Sequence, residues 1–256
     1  KSNAIVQHYC CAALQRLAVN DNNKGKIAEG GGINLIVSAM KTHPSNAKVQ
    51  EEGCETLFVM SYNNDENKVA IAEAGGIITT VSAMNNHGGN VELQYLGSGV
   101  LWNLADNQDN QVKIAEAEGI ITILFAMKNH FLNSQVQHCG CAALWNLSMN
   151  DDNKVTIAEA GGIPTIVSAM KNHSSNADVQ EYSCGTLGNL ALNDSNKVAI
   201  VEAGGVLAIE SAMQKHSSNA DVQENANRAL SIFQPISTTT PKPSSSNPTD
   251  PVSIVQ

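Results

Sequence analysis

Charge is scarce in this chain: Asp, Glu, Lys and Arg make up 15% of the 256 residues, against roughly 25% in an ordinary globular protein. Bases are scarcer still, with 15 Lys and Arg against 24 acids for a formal charge of -9. Phosphate backbones are held by clustered Lys and Arg, so nucleic acid is excluded as the main partner. Nowhere do about 18 apolar residues run together, and no charged segment leads into an apolar one, so neither a membrane span nor a signal peptide is visible. Proline is nearly absent from the main body; only Pro44 and Pro164 precede residue 234. Asparagine, by contrast, is abundant at 29 copies, and an apolar content of 42% is enough to bury a substantial core.

The organising feature is a repeat. Leu14, Leu57, Leu101, Leu144, Leu187 and Leu230 recur with one step of 44 and four of 43 residues. The same spacing aligns Ile27, Ile71, Ile114, Ile157 and Ile200, and then Ile33, Ile77, Ile120, Ile163 and Val206. It also aligns His43, His87, His130, His173 and His216. The one extra residue falls near Ser61 to Asp65, which reads as a loop. With no strand-like blocks, a period in the forties predicts an all-helical solenoid, because one such unit cannot bury its apolar face alone.

Each unit reads as three helices. The first is short, from Asn67 to Ala74, Asn110 to Ala117, Asn153 to Ala160 and Asn196 to Ala203, each after residues suited to capping. Glycine pairs at Gly75-Gly76, Gly161-Gly162 and Gly204-Gly205 stop it, while one unit has Glu118-Gly119 instead. The second carries an apolar stripe such as Ile163, Ile166, Val167 and Met170. The third is longest: Ala47 to Met60, Asn90 to Ala105, Ser134 to Ser148, Ala177 to about Leu192 and Ala220 to Ile232. Its core side holds residues such as Val136, Gly140, Ala143, Leu144 and Leu147, and Gly53, Gly97, Gly140 and Ser183 permit close helix approach.

The chain opens within a third helix, from about Ala4 to Ala18. Its apolar side, Val6, Cys10, Leu14 and Leu17, looks like an internal face, so more repeats are expected before Lys1. The expected organisation is a solenoid over 1–233, with a partial first repeat at 1–20 and five repeats after it. A disordered Pro/Ser/Thr-rich tail is expected at 234–256.

The row NKVTIAEAGGIPTIVSAMKNHSSNADVQEYSCGTLGNLA and its sisters resemble armadillo repeats, with their short first helix, Gly-Gly-Ile turn and long third helix ending Leu-x-Asn-Leu-Ala. They are also similar to the armadillo segments of leucine-rich-repeat kinases and protist repeat proteins, although no kinase signature is present. The resemblance implies a right-handed αα superhelix of the armadillo/HEAT kind. It also implies a concave surface of third helices that holds partner proteins or extended peptides. In that family an asparagine near the end of the third helix bonds the bound peptide, and Asn103, Asn146 and Asn189 match its position. Nuclear-import adaptors carry a tryptophan one turn earlier, where this chain has Gly99, Ala142 and Gly185, a departure that speaks against import cargo.

The helical wheel agrees with an open asparagine face. Asn146, Ala142 and Cys139 group together, opposite Leu144 and Gly140, and are expected to face away from the core. An amide repeated at each unit offers a donor and an acceptor about every third residue of an extended chain, or it bonds the neighbouring repeat as a structural ladder. Around it stand Glu51, Glu52 and Glu55, Tyr95 and Leu96, His138 and Cys139, Glu181 and Tyr182, then Glu224, Asn225 and Arg228. The acids favour a basic peptide, and Tyr95, Leu96 and Tyr182 would receive apolar side chains. Phe58, Trp102 and Trp145 share a register and are expected to pack between adjacent third helices, with direct contact to a partner as the alternative. The expected structural core includes Leu57, Leu101, Leu144 and Leu187, with Gly76 and Gly162 in the turns.

No catalytic constellation emerges. Histidines one repeat apart lie about 10 Å from each other, too far to share a metal, and capping or loop packing accounts for them better. Cys11, Cys54, Cys141 and Cys184 are likewise separated by whole repeats and are expected to stay free. The glycines at 30–32 lack the Lys-Ser/Thr of a phosphate loop, and Glu73, Glu116, Glu159 and Glu202 recur as helix-end acids. The expectation is therefore a non-enzymatic, monomeric binding scaffold with no metal, cofactor or membrane partner. The cytoplasm is its expected site and the nucleus the alternative. A structural spacer, or a docking module for a kinase or small GTPase, competes with this reading.

Overall fold

The computed structural model describes residues 3–233, and the tail expected to be disordered lies outside the described residues. Helix α1 (Ala4–Ala18) comes first. Five units of three follow, beginning with α2 (Asp21–Glu29), α3 (Gly32–Thr42) and α4 (Ala47–Ser61). Next come α5 (Asp65–Glu73), α6 (Gly76–Asn86) and α7 (Val91–Leu104), then α8 (Gln108–Glu116), α9 (Gly119–Asn129) and α10 (Ser134–Leu147). The last two are α11 (Asp151–Glu159), α12 (Gly162–Asn172) and α13 (Ala177–Leu190), and α14 (Asp194–Glu202), α15 (Gly205–Lys215) and α16 (Ala220–Phe233). No strand occurs among the described residues, and none of their helices is long and apolar enough to cross a membrane. The architecture is an all-α repeat superhelix in which third helices pack on third helices and second on second.

Asparagine abundance has a local cause. Asn20, Asn64, Asn107, Asn150 and Asn193 cap the first helices, each accepting from a backbone amide through its side chain. Asn3, Asn46, Asn90, Asn133 and Asn176 cap third helices in the same way, and Asn219 accepts from Val222 at the start of α16. Because these caps sit at 64, 107, 150 and 193, the first helices begin two residues earlier than the apolar pattern suggests.

The second helices enter through a left-handed residue: Gly31, Gly75, Gly161 and Gly204 have φ of 76–83°, and Glu118 takes the same conformation at φ 61°. A side chain at such a backbone position is strained by about 1–2 kcal/mol. Glu118 is also solvent-exposed, so its side chain has no packing to lose. Glu118→Gly is therefore expected to raise stability by about 1 kcal/mol, after allowing for glycine's greater unfolded-state freedom. An increased urea midpoint would show it, and a decrease would mean the side chain has a role beyond the turn.

Repeats are joined by polar ladders as well as by apolar contact. Leu57, Leu101, Leu144 and Leu187 are fully buried along the core. Gln50, Gln94, Gln137, Gln180 and Gln223 each donate Nε2 to two carbonyls of their own unit, those of the Met and His that end the second helix. The histidines reach between units: Nε2 of His87, His130, His173 and His216 donates to the carbonyls of Pro44, Gly88, Phe131 and Ser174 at 2.8–2.9 Å. On the first helices a second asparagine ladder appears, in which Asn110, Asn153 and Asn196 donate to the carbonyls of Lys68, Gln111 and Lys154. Buried amides paired this way avoid the loss of about 1–3 kcal/mol that an unpaired group would bring.

Candidate functional site

The third-helix face is built on Asn103, Asn146 and Asn189, and the structure places them differently from the helical wheel. Asn103 is 9% exposed and Asn189 7%, while Asn146 is half-buried. Nδ2 of Asn103 donates to the Phe58 carbonyl and to Ser61 Oγ, both at 3.1 Å. Nδ2 of Asn146 donates to the Trp102 carbonyl at 3.3 Å, and that of Asn189 to Ser148 Oγ at 3.0 Å. These amides meet the C-terminal ends of α4 and α7, and for Asn189 the hydroxyl of Ser148 at the C-cap of α10, all in the neighbouring unit. Of the two roles expected of the asparagine ladder, the Nδ2 bonds are those of the structural one: they tie each unit to its neighbour. The bonds use Nδ2 alone, and the Oδ1 acceptors lie outside them.

Three other residues expected on this face are buried. Leu96 is 5% exposed, Cys139 2% and Ala142 0%. A wheel drawn on one helix separates core from outside, but it cannot show that neighbouring third helices close over the flank between them.

Aromatic rings occupy the centre. The rings of Phe58 and Trp145 lie across the backbone of the next third helix, where a Cβ on Gly99 would come within 2.9 Å of Phe58 Cε2 and one on Gly185 within 2.8 Å of Trp145 Nε1. Gly99 and Gly185, which stand where an import adaptor would carry tryptophan, are the slots that receive rings from the preceding unit. Tyr182 on α13 collects the rest: its ring centroid is 5.5 Å from Trp102 on α7, 5.5 Å from His138 and 5.3 Å from Trp145 on α10. The Trp102–Tyr182 contact spans two repeats, bridging over α10. The sequence shows each ring separately. It does not show the cluster, because its members come from three units. Tyr95 stands apart from it, edge-on to Phe58 at 6.4 Å.

Beside the cluster is a cleft of about 230 Å³, lined by Trp102, Asn103, Trp145, Asn146 and Tyr182, with Tyr62, Asn63, Lys68 and Asp106 on its other wall. Lys68 Nζ bonds Asp106 at 2.5 Å and Asp65 at 2.8 Å. Burial alone would lower the Lys68 pKa, but the bonds to Asp106 and Asp65 outweigh it and raise the value, keeping the ammonium charged.

Acids flank the rings on both sides. Glu55 is held above the usual carboxylate range by burial and then by Glu52 and Glu92. Glu181 is raised by burial, then by Asp221 and Asp178. Glu51 accepts from Asn90 Nδ2. The Tyr182 phenol is pushed to about 12 by burial, with Glu181 and Asp178 adding to it. Burial lowers the His138 pKa, against the opposing pull of Asp178, so its ring is neutral at neutral pH. The arrangement offers aromatic faces, amide acceptors and carboxylates, which suit recognition. Cys54 and Cys141, buried and pushed to about 12, remain protonated thiols rather than nucleophiles. Among the described residues no group of three or more His, Cys, Asp or Glu could hold a metal ion.

Comparison with known proteins places the chain beside armadillo-repeat proteins in both sequence and structure. Residues 150–192 match the model of the Armadillo/beta-catenin-like repeat. A stretch of 59 residues is 41% identical to Protein aardvark of Dictyostelium discoideum; it covers 22% of this chain and only 8% of that protein. Among solved structures, an engineered protein superposes with a TM-score of 0.79 at 25% identity, over 91% of this chain and 92% of that one. A designed armadillo repeat protein in complex with the peptide (KR)4 superposes with a TM-score of 0.74 at 21% identity, over 88% and 91% of the two chains.

Proposed function

Because the chain is an armadillo-repeat solenoid, we propose that it is a non-enzymatic scaffold that holds an extended, basic segment of another protein against its third helices. The observation that carries this reading is the cleft lined by Trp102, Asn103, Trp145, Asn146 and Tyr182. In this role Asn103 and Asn146 spend Nδ2 on the neighbouring helix and present Oδ1 to peptide amides. Tyr182, His138 and Tyr95 supply ring surface, and Glu51, Glu55 and Glu181 supply charge. Asn189 lies outside the cleft and serves the stack. The (KR)4 peptide held by the designed protein is of the chemistry that such acids would attract. The six cysteines are free, five of them buried, which is in keeping with a protein working in the cytoplasm or nucleus.

The test is a fluorescence titration with a labelled peptide of alternating Lys and Arg. Binding is expected to weaken as salt rises, because the flanking acids are partly exposed and screened. It is also expected to weaken as pH falls through the raised pKa values of Glu55 and Glu181, since protonation removes the attracting charge. Stability runs the opposite way. Carboxyls whose folded pKa is raised stabilise the fold below their ordinary value, and that contribution is lost as pH rises through the raised one. Affinity that is indifferent to both salt and pH would remove the basic partner.

A spacer remains the competing role, favoured by the amides of Asn103 and Asn189 being committed to neighbouring repeats. It requires that no selective ligand bind this face.

A further inference from the structure

The second helices form a different surface with a site of its own. Between α9 and α12 lies a groove of about 360 Å³, and between α12 and α15 one of about 340 Å³. They are equivalent places one repeat apart. The first is walled by Lys128 and Pro164 over Met127 and Gln137, the second by Lys171 and Leu207 over Met170 and Gln180. Gln137 and Gln180 are only 1% and 2% exposed, and each spends Nε2 on two carbonyls of its own unit. The polar atom each has left is the acceptor Oε1, and both glutamines line their grooves.

Charge and exposed apolar surface coincide here. No Asp or Glu lines either groove, although the chain carries -9 overall, and each groove has a lysine. Lys128 Nζ makes one long bond, 3.3 Å to the Ala160 carbonyl, which leaves donors of the ammonium for a ligand. At the third position of successive second helices stand Ile78, Ile121, Pro164 and Leu207, all exposed, with Leu207 at 70%. A third groove of this kind, with Lys41 and Ile78, lies between α3 and α6. It is isolated, because between α6 and α9 the lysine position is Asn85, bonded to Thr122, and Phe125 lies against Gly88.

We propose that the α9/α12 and α12/α15 grooves together bind an extended acidic segment of a partner protein, a second site independent of the third-helix face. Backbone N–H groups of the segment donate to Gln137 and Gln180 Oε1, its carboxylates meet Lys128 and Lys171, and apolar side chains rest on Pro164 and Leu207. One repeat is about 10 Å, or about three residues of extended chain, so the segment would place an acid at every third position.

A labelled dodecapeptide of repeated Asp-Leu-Ser triplets is the probe, read by fluorescence anisotropy with the full chain. Saturable, salt-sensitive binding is expected. Lys128→Glu with Lys171→Glu should weaken it about tenfold or more, whereas Lys41→Glu in the isolated groove should leave it unchanged. Lys128→Gln with Lys171→Gln, which keeps length and loses charge, should show a smaller loss of the same sign. The proposal is overturned by no saturable binding, by equal binding to the charge-reversed protein, or by equal loss with Lys41→Glu.

Discussion

Valine in place of Gly140 is expected to cost about 3 kcal/mol of stability, the upper part of the range for overpacking a filled core. Gly140 lies on α10 facing α9, and a Cβ there would sit 2.6 Å from Met127 Cγ and 2.7 Å from its Sδ. Met127 is 1% exposed and has nowhere to withdraw without displacing its own neighbours. Gly53 and Gly97 face Met40 and Met84 in the same way, so the contact is a repeated joint between second and third helices. A repeat array need not unfold in one step, so the lowered urea midpoint should be followed by the fluorescence of Trp102 and Trp145 as well as by circular dichroism. Met127→Ala in the same chain should recover part of the loss, since it vacates the space the new side chain needs. The opposite control is Gly25→Ala: nothing lies within 4 Å of a Cβ at Gly25, and a helical alanine should gain about 0.5–1 kcal/mol. Gly140→Val without loss would mean that the joint is softer than its distances imply.

Trp145→Ala is expected to weaken the Lys-Arg peptide about 30-fold, which corresponds to the roughly 2 kcal/mol that marks a binding hot spot. Trp145 touches Tyr182 at 5.3 Å, covers Gly185 and lines the cleft, so its removal opens the centre of the cluster. Its Nε1 is buried without a hydrogen-bond partner, so Trp145→Phe keeps a ring on Gly185 and breaks no internal bond. That variant should keep its stability while retaining most of the affinity. The pair separates the competing roles. A scaffold loses the peptide with alanine and keeps it with phenylalanine; a spacer loses stability with alanine and has no selective ligand at any stage. Equal peptide binding by the native chain and Trp145→Ala would end the assignment of this cleft.

The two faces also differ in how far they could be foreseen. Tyr182, His138, Glu55 and Glu181 are readable from the sequence as outward positions on third helices, because they follow from the period within one helix. Leu96 and Cys139 are misplaced by the same rule, because their burial is caused by the adjoining helix. The grooves at Gln137 and Gln180 left no motif, since each joins residues of consecutive units more than twenty positions apart.

What the sequence by itself determined was everything local or strictly periodic. Asparagine caps and glycine turns set where helices begin and end, and the 43-residue step made Leu57, Leu101, Leu144 and Leu187 one continuous core. The fate of the polar and aromatic groups between units was decided only by the tertiary structure. Whether the Asn103 amide meets a ligand or the end of α4, and whether Trp102 reaches Tyr182 across α10, depends on the distance and angle at which one repeat settles on the next. Those are set by the summed packing of all three helices, to a fraction of the length of a hydrogen bond, and no single helix carries that information in its spacing.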